Sequence, residues 1–303
     1  MAVNNKAADL FNVNGIVAVI TGGGTGLGLY AARALDANGA KAVYIVGRRE
    51  DTLKSAAKTA VNGTIKPIVG DVNDKESLLK VAEQVRQEQG FINLLFANAG
   101  INGPSHAAAP GKTRTVKEFQ ESMLKLEMDE FSFVQQVNNT GVFYTAVAFL
   151  DLLDAGNQKG NLSQDSQILV TSSVAGLSRH MMYSFAYATS KAAVNHLVKG
   201  MATFFAQQKY RIRVNGICPG FYPSEMTAGW TKGLEKLEEF KEHPGILRDA
   251  YKIPTELAPA ERSGSEEDFA GVILFLASRA GAYGNGQILV TDGGRVSVLP
   301  AVY

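Results

Sequence analysis

Short apolar runs alternate along this chain with longer stretches whose apolar residues recur at helical spacing. Ile16–Thr21 (IVAVIT) is β-branched and apolar throughout, the pattern of a strand covered on both faces in a parallel sheet. A glycine-rich turn follows, then an alanine-rich stretch, Leu29–Asn38, that predicts a helix stopped at Gly39, then a second strand at Ala42–Val46. The same alternation predicts strands at Ile65–Val69, Phe91–Phe96, Ile168–Val170, Arg211–Ile217 and Gln287–Val290. Between them it predicts helices at Lys75–Gln89, Val116–Glu130, Phe131–Leu153, about Phe185 to Gln208, and Glu266–Ser278. Ile101–Arg114, with His106, and the polar Asp154–Ser166 read as loops. Phe221–Ser263, rich in proline and broken into helical fragments, reads as an excursion that closes over a site at a strand's carboxyl end. Strand-helix alternation from about residue 16 to 294, with no repeat and no linker, predicts an α/β fold. Residues 1–303 are expected to form one domain: a Rossmann-like, doubly wound, seven-stranded parallel sheet with helices on both faces and a small lid at about 221–263.

Composition narrows the function. A hydrophobic content of 46% supplies a large core, and a net charge of +1 gives no electrostatic reason to expect nucleic acid or an anionic membrane as partner. The single cysteine, Cys218, excludes an internal disulfide and suits a reducing compartment. No apolar run has transmembrane length, and the polar start of the chain lacks a signal-peptide core. A cytoplasmic protein is expected, with no metal site.

The candidate chemistry sits at the carboxyl ends of the strands. After the first strand, Gly22, Gly26 and Gly28 are spaced so that the backbone can turn tightly, as it must to hold a pyrophosphate over a helix N-terminus, though a purely structural turn fits the same residues. The second strand ends in Val46-Gly47-Arg48-Arg49, without a carboxylate at its tip. Guanidinium groups there suit a ribose phosphate and favour NADP, while Glu50 and Asp51 leave NAD as the lesser alternative. Asp71 can accept from an adenine amino group or cap the following helix. Asn98-Ala99-Gly100 is small enough to let a ligand approach the backbone. The fifth strand delivers Ser172 and Ser173. Tyr187 and Lys191, four residues apart on the next helix, share a face, roughly 6 Å apart along its axis. A free phenol titrates about three units above neutral, so poising it as an acid or base takes roughly 4 kcal/mol, part of which a neighbouring ammonium can supply.

The ordered set Thr21-Gly22-x-x-x-Gly26-x-Gly28, Asp71, Asn98-Ala99-Gly100, Asn138 ahead of Gly141, Ser173, Tyr187-x-x-x-Lys191, and Asn215 with Pro219-Gly220 resembles the short-chain dehydrogenase/reductase family. The resemblance covers nearly the whole chain. It implies an enzyme that moves hydride between NAD(P) and a carbonyl, as a homodimer or homotetramer joined through the helices after strands four and five. It implies that Tyr187 exchanges the proton, that Lys191 holds the ribose hydroxyls and, with the charge of the oxidised nicotinamide, depresses the tyrosine pKa. Ser173 would orient the substrate oxygen, and Asn138 a water linking Lys191 to solvent. Arg48 would meet the 2′-phosphate, Thr25 and Leu27 the pyrophosphate, Asp71 and Val72 the adenine. Asn98, Ala99 and Gly100 would line the adenosine half, and Pro219, Gly220 and Ser224 would flank the nicotinamide. Ser173 lies fourteen residues before Tyr187, one more than the family usually shows, so Ser172 stays a candidate beside it. Asn139 duplicates Asn138, and Ser224 stands where threonine is common.

The expected activity is reduction of a ketone by NADPH, or the reverse oxidation of a secondary alcohol. The expected partner is a small-molecule carbonyl or alcohol substrate, a 3-oxoacyl-like or bulky apolar ketone, the latter if Met181, Met182, Tyr183, Phe185, Phe221, Tyr222, Met226 and Trp230 face it. A non-redox isomerase or cyclase could use the same acid and base. A nucleotide sensor without catalysis is disfavoured because both Tyr187 and Lys191 are present. The apolar ending Val296–Tyr303 is expected to pack on a neighbouring subunit.

Overall fold

The computed structural model describes residues 5–105, 113–181, 183–237 and 250–302. His106, Met182, Pro244, Tyr303 and the centre of the expected lid lie outside these residues. After a short turn of helix, α1 (Ala7–Leu10), the chain runs β1 (Val17–Thr21), α2 (Gly26–Ala37), β2 (Ala42–Gly47), α3 (Glu50–Ala57), β3 (Ile65–Val69), α4 (Lys75–Gln89) and β4 (Leu94–Ala97). It continues with α5 (Val116–Met123), α6 (Met128–Gln135), a π-helical turn (Gln136–Thr140), α7 (Gly141–Ala148), α8 (Leu150–Lys159), β5 (Gln167–Thr171) and α9 (Phe185–Gln207). The last elements are β6 (Arg213–Pro219), α10 (Ala228–Thr231), α11 (Glu266–Ala277) and β7 (Ile288–Thr291).

The seven strands form one sheet in the order β3-β2-β1-β4-β5-β6-β7, every pair parallel. The alternation of strand side chains gives it two cores. Val17, Val19, Tyr44 and Val46 face a cluster completed by Val81 and Val85 of α4, Val142 and Ala146 of α7, and Val194 and Val198 of α9. Ala18, Ile20, Val43 and Ile45 face the opposite cluster with Ala31, Ala32 and Leu35 of α2, and Phe269 and Ile273 of α11. Strands covered on both faces must be apolar throughout, which is why β1 is buried at all five positions.

Two expectations about local structure are corrected, and the ending of the chain is also placed. Val116–Glu130 is two helices, α5 and α6, because α6 packs along α9 whereas α5 buries none of its residues. Asp154–Ser166 is helical to Lys159. Gly156 presses on the carbonyl of Ile92, where a Cβ would come within 2.0 Å, while Leu152 and Leu153 are buried. The close packing selects the residue whose propensity argues against a helix. The ending folds back on its own chain. Ser178 and Ala301 form an antiparallel bridge, and the Val302 and Arg179 amides donate to Leu177 and Pro300 carbonyls.

Candidate active site

Strand order reverses between β1 and β4, and chains leaving the two strands diverge there to opposite faces, opening a crevice at their carboxyl ends. A cleft of about 560 Å³ occupies that place. Gly22, Thr25, Gly26, Leu27, Arg48, Asp71, Val72, Asn98, Ala99, Gly100, Ser173, Tyr187, Lys191, Pro219, Gly220 and Ser224 all line it. Gly28 and Asn138 stand behind the wall.

At one end the wall is backbone. Gly22 (φ +64°) and Gly26 (φ +53°) have left-handed conformations, and a Cβ on Gly28 would meet the Gly22 carbonyl oxygen at 2.4 Å. Asn98 locks the turn from below, its Nδ2 donating to the Thr21 and Gly22 carbonyls and its Oδ1 accepting from the Thr171 hydroxyl. The amides opening α2 receive no side-chain cap from Thr25, so they remain available to an anion. Arg48 is exposed and makes no hydrogen bond or ion pair with the described residues, whereas Arg49 pairs with Glu225. Asp71 does not cap α4: Asp74 does, accepting from the Glu76 amide. The Asp71 carboxylate instead accepts from the Asn73 amide within its own turn.

The proton-handling groups meet at the middle. Ser184 caps α9, accepting from the Tyr187 amide, and the helix carries Tyr187 and Lys191 on one face. Lys191 Nζ lies 5.7 Å from the centre of the Tyr187 ring and donates to the Thr171 carbonyl at 2.8 Å. The Ser173 side chain faces the Tyr187 phenol, and both line the cleft. Ser172 is buried and donates to the Lys191 carbonyl at 3.1 Å, stapling α9 to β5, so of the pair it is Ser173 that meets the phenol. Burial pushes the Tyr187 phenol up, with Ser173 pulling it down, and burial lowers Lys191 to about 8.

Asn138 lies in the π-helical turn, a local widening that often accompanies functional positions. Its Nδ2 donates to the Ile101 carbonyl and the Ser190 hydroxyl, and its Oδ1 accepts from the Ile101 amide. A Cβ on Gly100 would lie 3.1 Å from Asn138 Oδ1 and 3.5 Å from Lys191 Nζ, so the amide and the ammonium approach one point from two elements. Asn139 Oδ1 is buried with no partner among the described residues.

At the other end the wall is side chain. Ile101, Asn102, Phe133, Val137, Met226 and Thr227 line it, and pattern reading singled out only Met226. The missed residues come from loop and helix positions that share no motif. Tyr183, Phe221 and Trp230, expected to face the cleft, do not line it: Trp230 stacks on Phe221 (centroids 6.0 Å apart) and meets the edge of Tyr183 (5.4 Å). Tyr222 also lines the cleft, though largely buried, with its ring packed on Phe269 and its hydroxyl on Thr291. Phe185 turns away to Phe119. No group of three or more His, Cys, Asp or Glu suited to a metal, and no helix long and apolar enough to cross a membrane, occurs among the described residues.

The chain is similar to known proteins in sequence and in fold. The family model described as short chain dehydrogenase matches residues 16–235. The short-chain dehydrogenase/reductase PhomF of Diaporthe leptostromiformis is 45% identical over 98% of this chain and 97% of its own. A short-chain type dehydrogenase/reductase from Mycobacterium marinum superposes with a TM-score of 0.74 at 30% identity, covering 96% of this chain and 99% of that one. The Pseudomonas aeruginosa RhlG/NADP active-site complex superposes with a TM-score of 0.72 at 26% identity, covering 95% and 98%. With its glycine turn, its serine-tyrosine-lysine cleft and this breadth of match, the chain belongs to the short-chain dehydrogenase/reductase family, oxidoreductases that work with a nicotinamide nucleotide.

Proposed function

We propose that this protein is an NADP(H)-dependent reductase of a bulky, largely apolar ketone, running in reverse as a secondary-alcohol dehydrogenase. The observation that carries the reading is the convergence of Ser173, Tyr187 and Lys191 on one wall of the cleft, with Lys191 Nζ 5.7 Å from the centre of the Tyr187 ring. Two hydroxyls that meet there can both bond one carbonyl oxygen. The nucleotide, when bound, supplies or accepts the hydride. Ser173 orients the oxygen, and Tyr187 gives it a proton in reduction and takes one in oxidation. Lys191 holds the ribose hydroxyls, and Asn138 positions a water through which its proton is restored.

The preference for the 2′-phosphate rests on Arg48, whose donors are uncommitted, and on the lack of a carboxylate at the tip of β2. RhlG, of similar fold, is named as an NADP complex. The uncapped amides of α2 suit the pyrophosphate, with Thr25 and Leu27 beside it. Asp71 and Val72 suit the adenine, and Pro219, Gly220 and Ser224 the nicotinamide. On this reading the chain acts as one domain with residues 221–263 as substrate lid. Exposed Phe143, Tyr144 and Val147 of α7 and Phe204 of α9 supply an apolar face for a homodimer or homotetramer.

Titration with NADPH and NADH, followed by a ketone screen, tests the reading. NADPH should bind tighter, and Arg48→Gln should cost NADPH about 10- to 100-fold while leaving NADH nearly unchanged. Equal affinity for both nucleotides in the unaltered protein would remove the NADP assignment.

A further inference from the structure

One ion pair spans the cleft. Arg49 Nη2 lies 2.6 Å from Glu225 Oε2, and Nη1 lies 3.4 Å from Oε1, a guanidinium fork facing a carboxylate. The partners belong to opposite walls. Arg49 is the N-cap of α3, just past the tip of β2, and Glu225 opens a short turn after β6. The turn is braced from behind: Ser224 and Thr227 cap each other, the Thr227 hydroxyl donates to the Tyr222 carbonyl at 2.8 Å, and the Tyr222 hydroxyl reaches Thr291 at 2.7 Å. Ser224 also rests on the glycine turn, its Cβ 3.0 Å from where a Cβ on Gly26 would lie. The ion pair therefore bridges the cleft beside the amides that open α2.

We propose that Arg49 and Glu225 form a clasp across the dinucleotide groove, which parts to release the nucleotide. The two are positioning residues for cofactor exchange. This rests on the reading above only in that a nicotinamide dinucleotide fills the groove. The clasp commits the Arg49 fork to a carboxylate, so discrimination of the 2′-phosphate falls to Arg48, and the clasp slows release of NADPH and NADH alike. Both partners are more than half exposed, at 62% and 57%, so the effect is modest and screened by salt.

Trp230, the single tryptophan of the chain, stands five residues beyond Glu225 on the same lid, and energy transfer from its indole to a reduced nicotinamide reports occupancy. Stopped-flow displacement of NADPH and of NADH from the full chain tests the clasp. At low ionic strength Glu225→Gln and Arg49→Gln should each speed release about two- to fivefold for both nucleotides, and the difference should vanish near ~0.5 M salt. The doubly exchanged Arg49→Glu/Glu225→Arg protein should release more slowly than either single variant. Unchanged release in both single variants at low salt, or no slowing in the exchanged protein, overturns the clasp. So does selective loss of NADPH in Arg49→Gln with Glu225→Gln silent, which assigns Arg49 to the phosphate. No energy transfer and no displacement with either nucleotide in the unaltered protein overturns the functional reading instead.

Discussion

The two ends of the cleft are built from different materials. At the nucleotide end, backbone is held by backbone: Gly28 sits on the Gly22 carbonyl, and Asn98 pins the turn to β1 and β5. At the other end side chains form the wall, Phe133, Val137 and Met226 among them, and the Asn102 amide reaches the Met226 carbonyl from another loop, with Trp230 packed between Phe221 and Tyr183 beyond that lining. A backbone wall accepts few residue types, because a single Cβ already collides with it. A side-chain wall can be repacked one residue at a time, which suits a family that keeps one cofactor chemistry and varies the substrate.

The contrast is most sharply tested at its midpoint. Tyr187→Phe removes the phenolic proton while keeping the ring, and turnover should fall by about 10²- to 10⁴-fold with nucleotide affinity retained. Steady-state rates beside a binding titration check this, and near-normal turnover would displace Tyr187 from the chemistry. At the rigid end, Gly28→Ala forces a methyl against two fixed groups, the Gly22 carbonyl and Asn98 Nδ2 at 2.6 Å. It should destabilise the fold by about 3 kcal/mol, the upper range for overpacking, and weaken both nucleotides together. Thermal melts and titration read the two effects, and a silent substitution would mean that the turn yields.

Lys191 separates the ends by pH. Burial lowers it to about 8 from an ordinary value of 10.5. Between those values the unfolded chain binds the proton that the folded chain has lost, so the contribution of Lys191 to stability rises with pH across that window. The stability of the unaltered protein relative to Lys191→Met should therefore climb from pH 8 to 10.5, by up to about 3 kcal/mol. Denaturant titrations across the range measure the difference, and a flat difference profile would place the ammonium in contact with solvent. The smallest effect belongs to the adaptable end. Trp230→Ala should raise the KM for a bulky ketone severalfold, about 1 kcal/mol, with nucleotide affinity nearly unchanged. An equal loss of nucleotide affinity would mean that the two ends are coupled.

Much of the nucleotide end was legible along the chain because its constraints are local. A strand covered on both faces must be apolar, and a turn with left-handed residues must be glycine, so β1 and residues 22–28 carry their geometry in their residue types. The pair Tyr187 and Lys191 was legible for the same reason, since four residues on a helix make one face. Other features depended on contacts between distant segments. Gly156 sits in a helix because Ile92 leaves no room for a side chain, and Ser172 is set apart from Ser173 by the Lys191 carbonyl. The ending pairs with residues 177–179, more than a hundred positions back in the chain.

The sequence by itself determined the order of strands and helices, the glycine turn, and the candidates for proton transfer, because each follows from residues close together in the chain. Tertiary structure decided which serine meets the phenol and that Asn138, rather than Asn139, ties Ile101 to Ser190. It also brought Arg49 within reach of Glu225, 176 residues away. Burial and long-range pairing set these outcomes, and neither is a property of any segment alone.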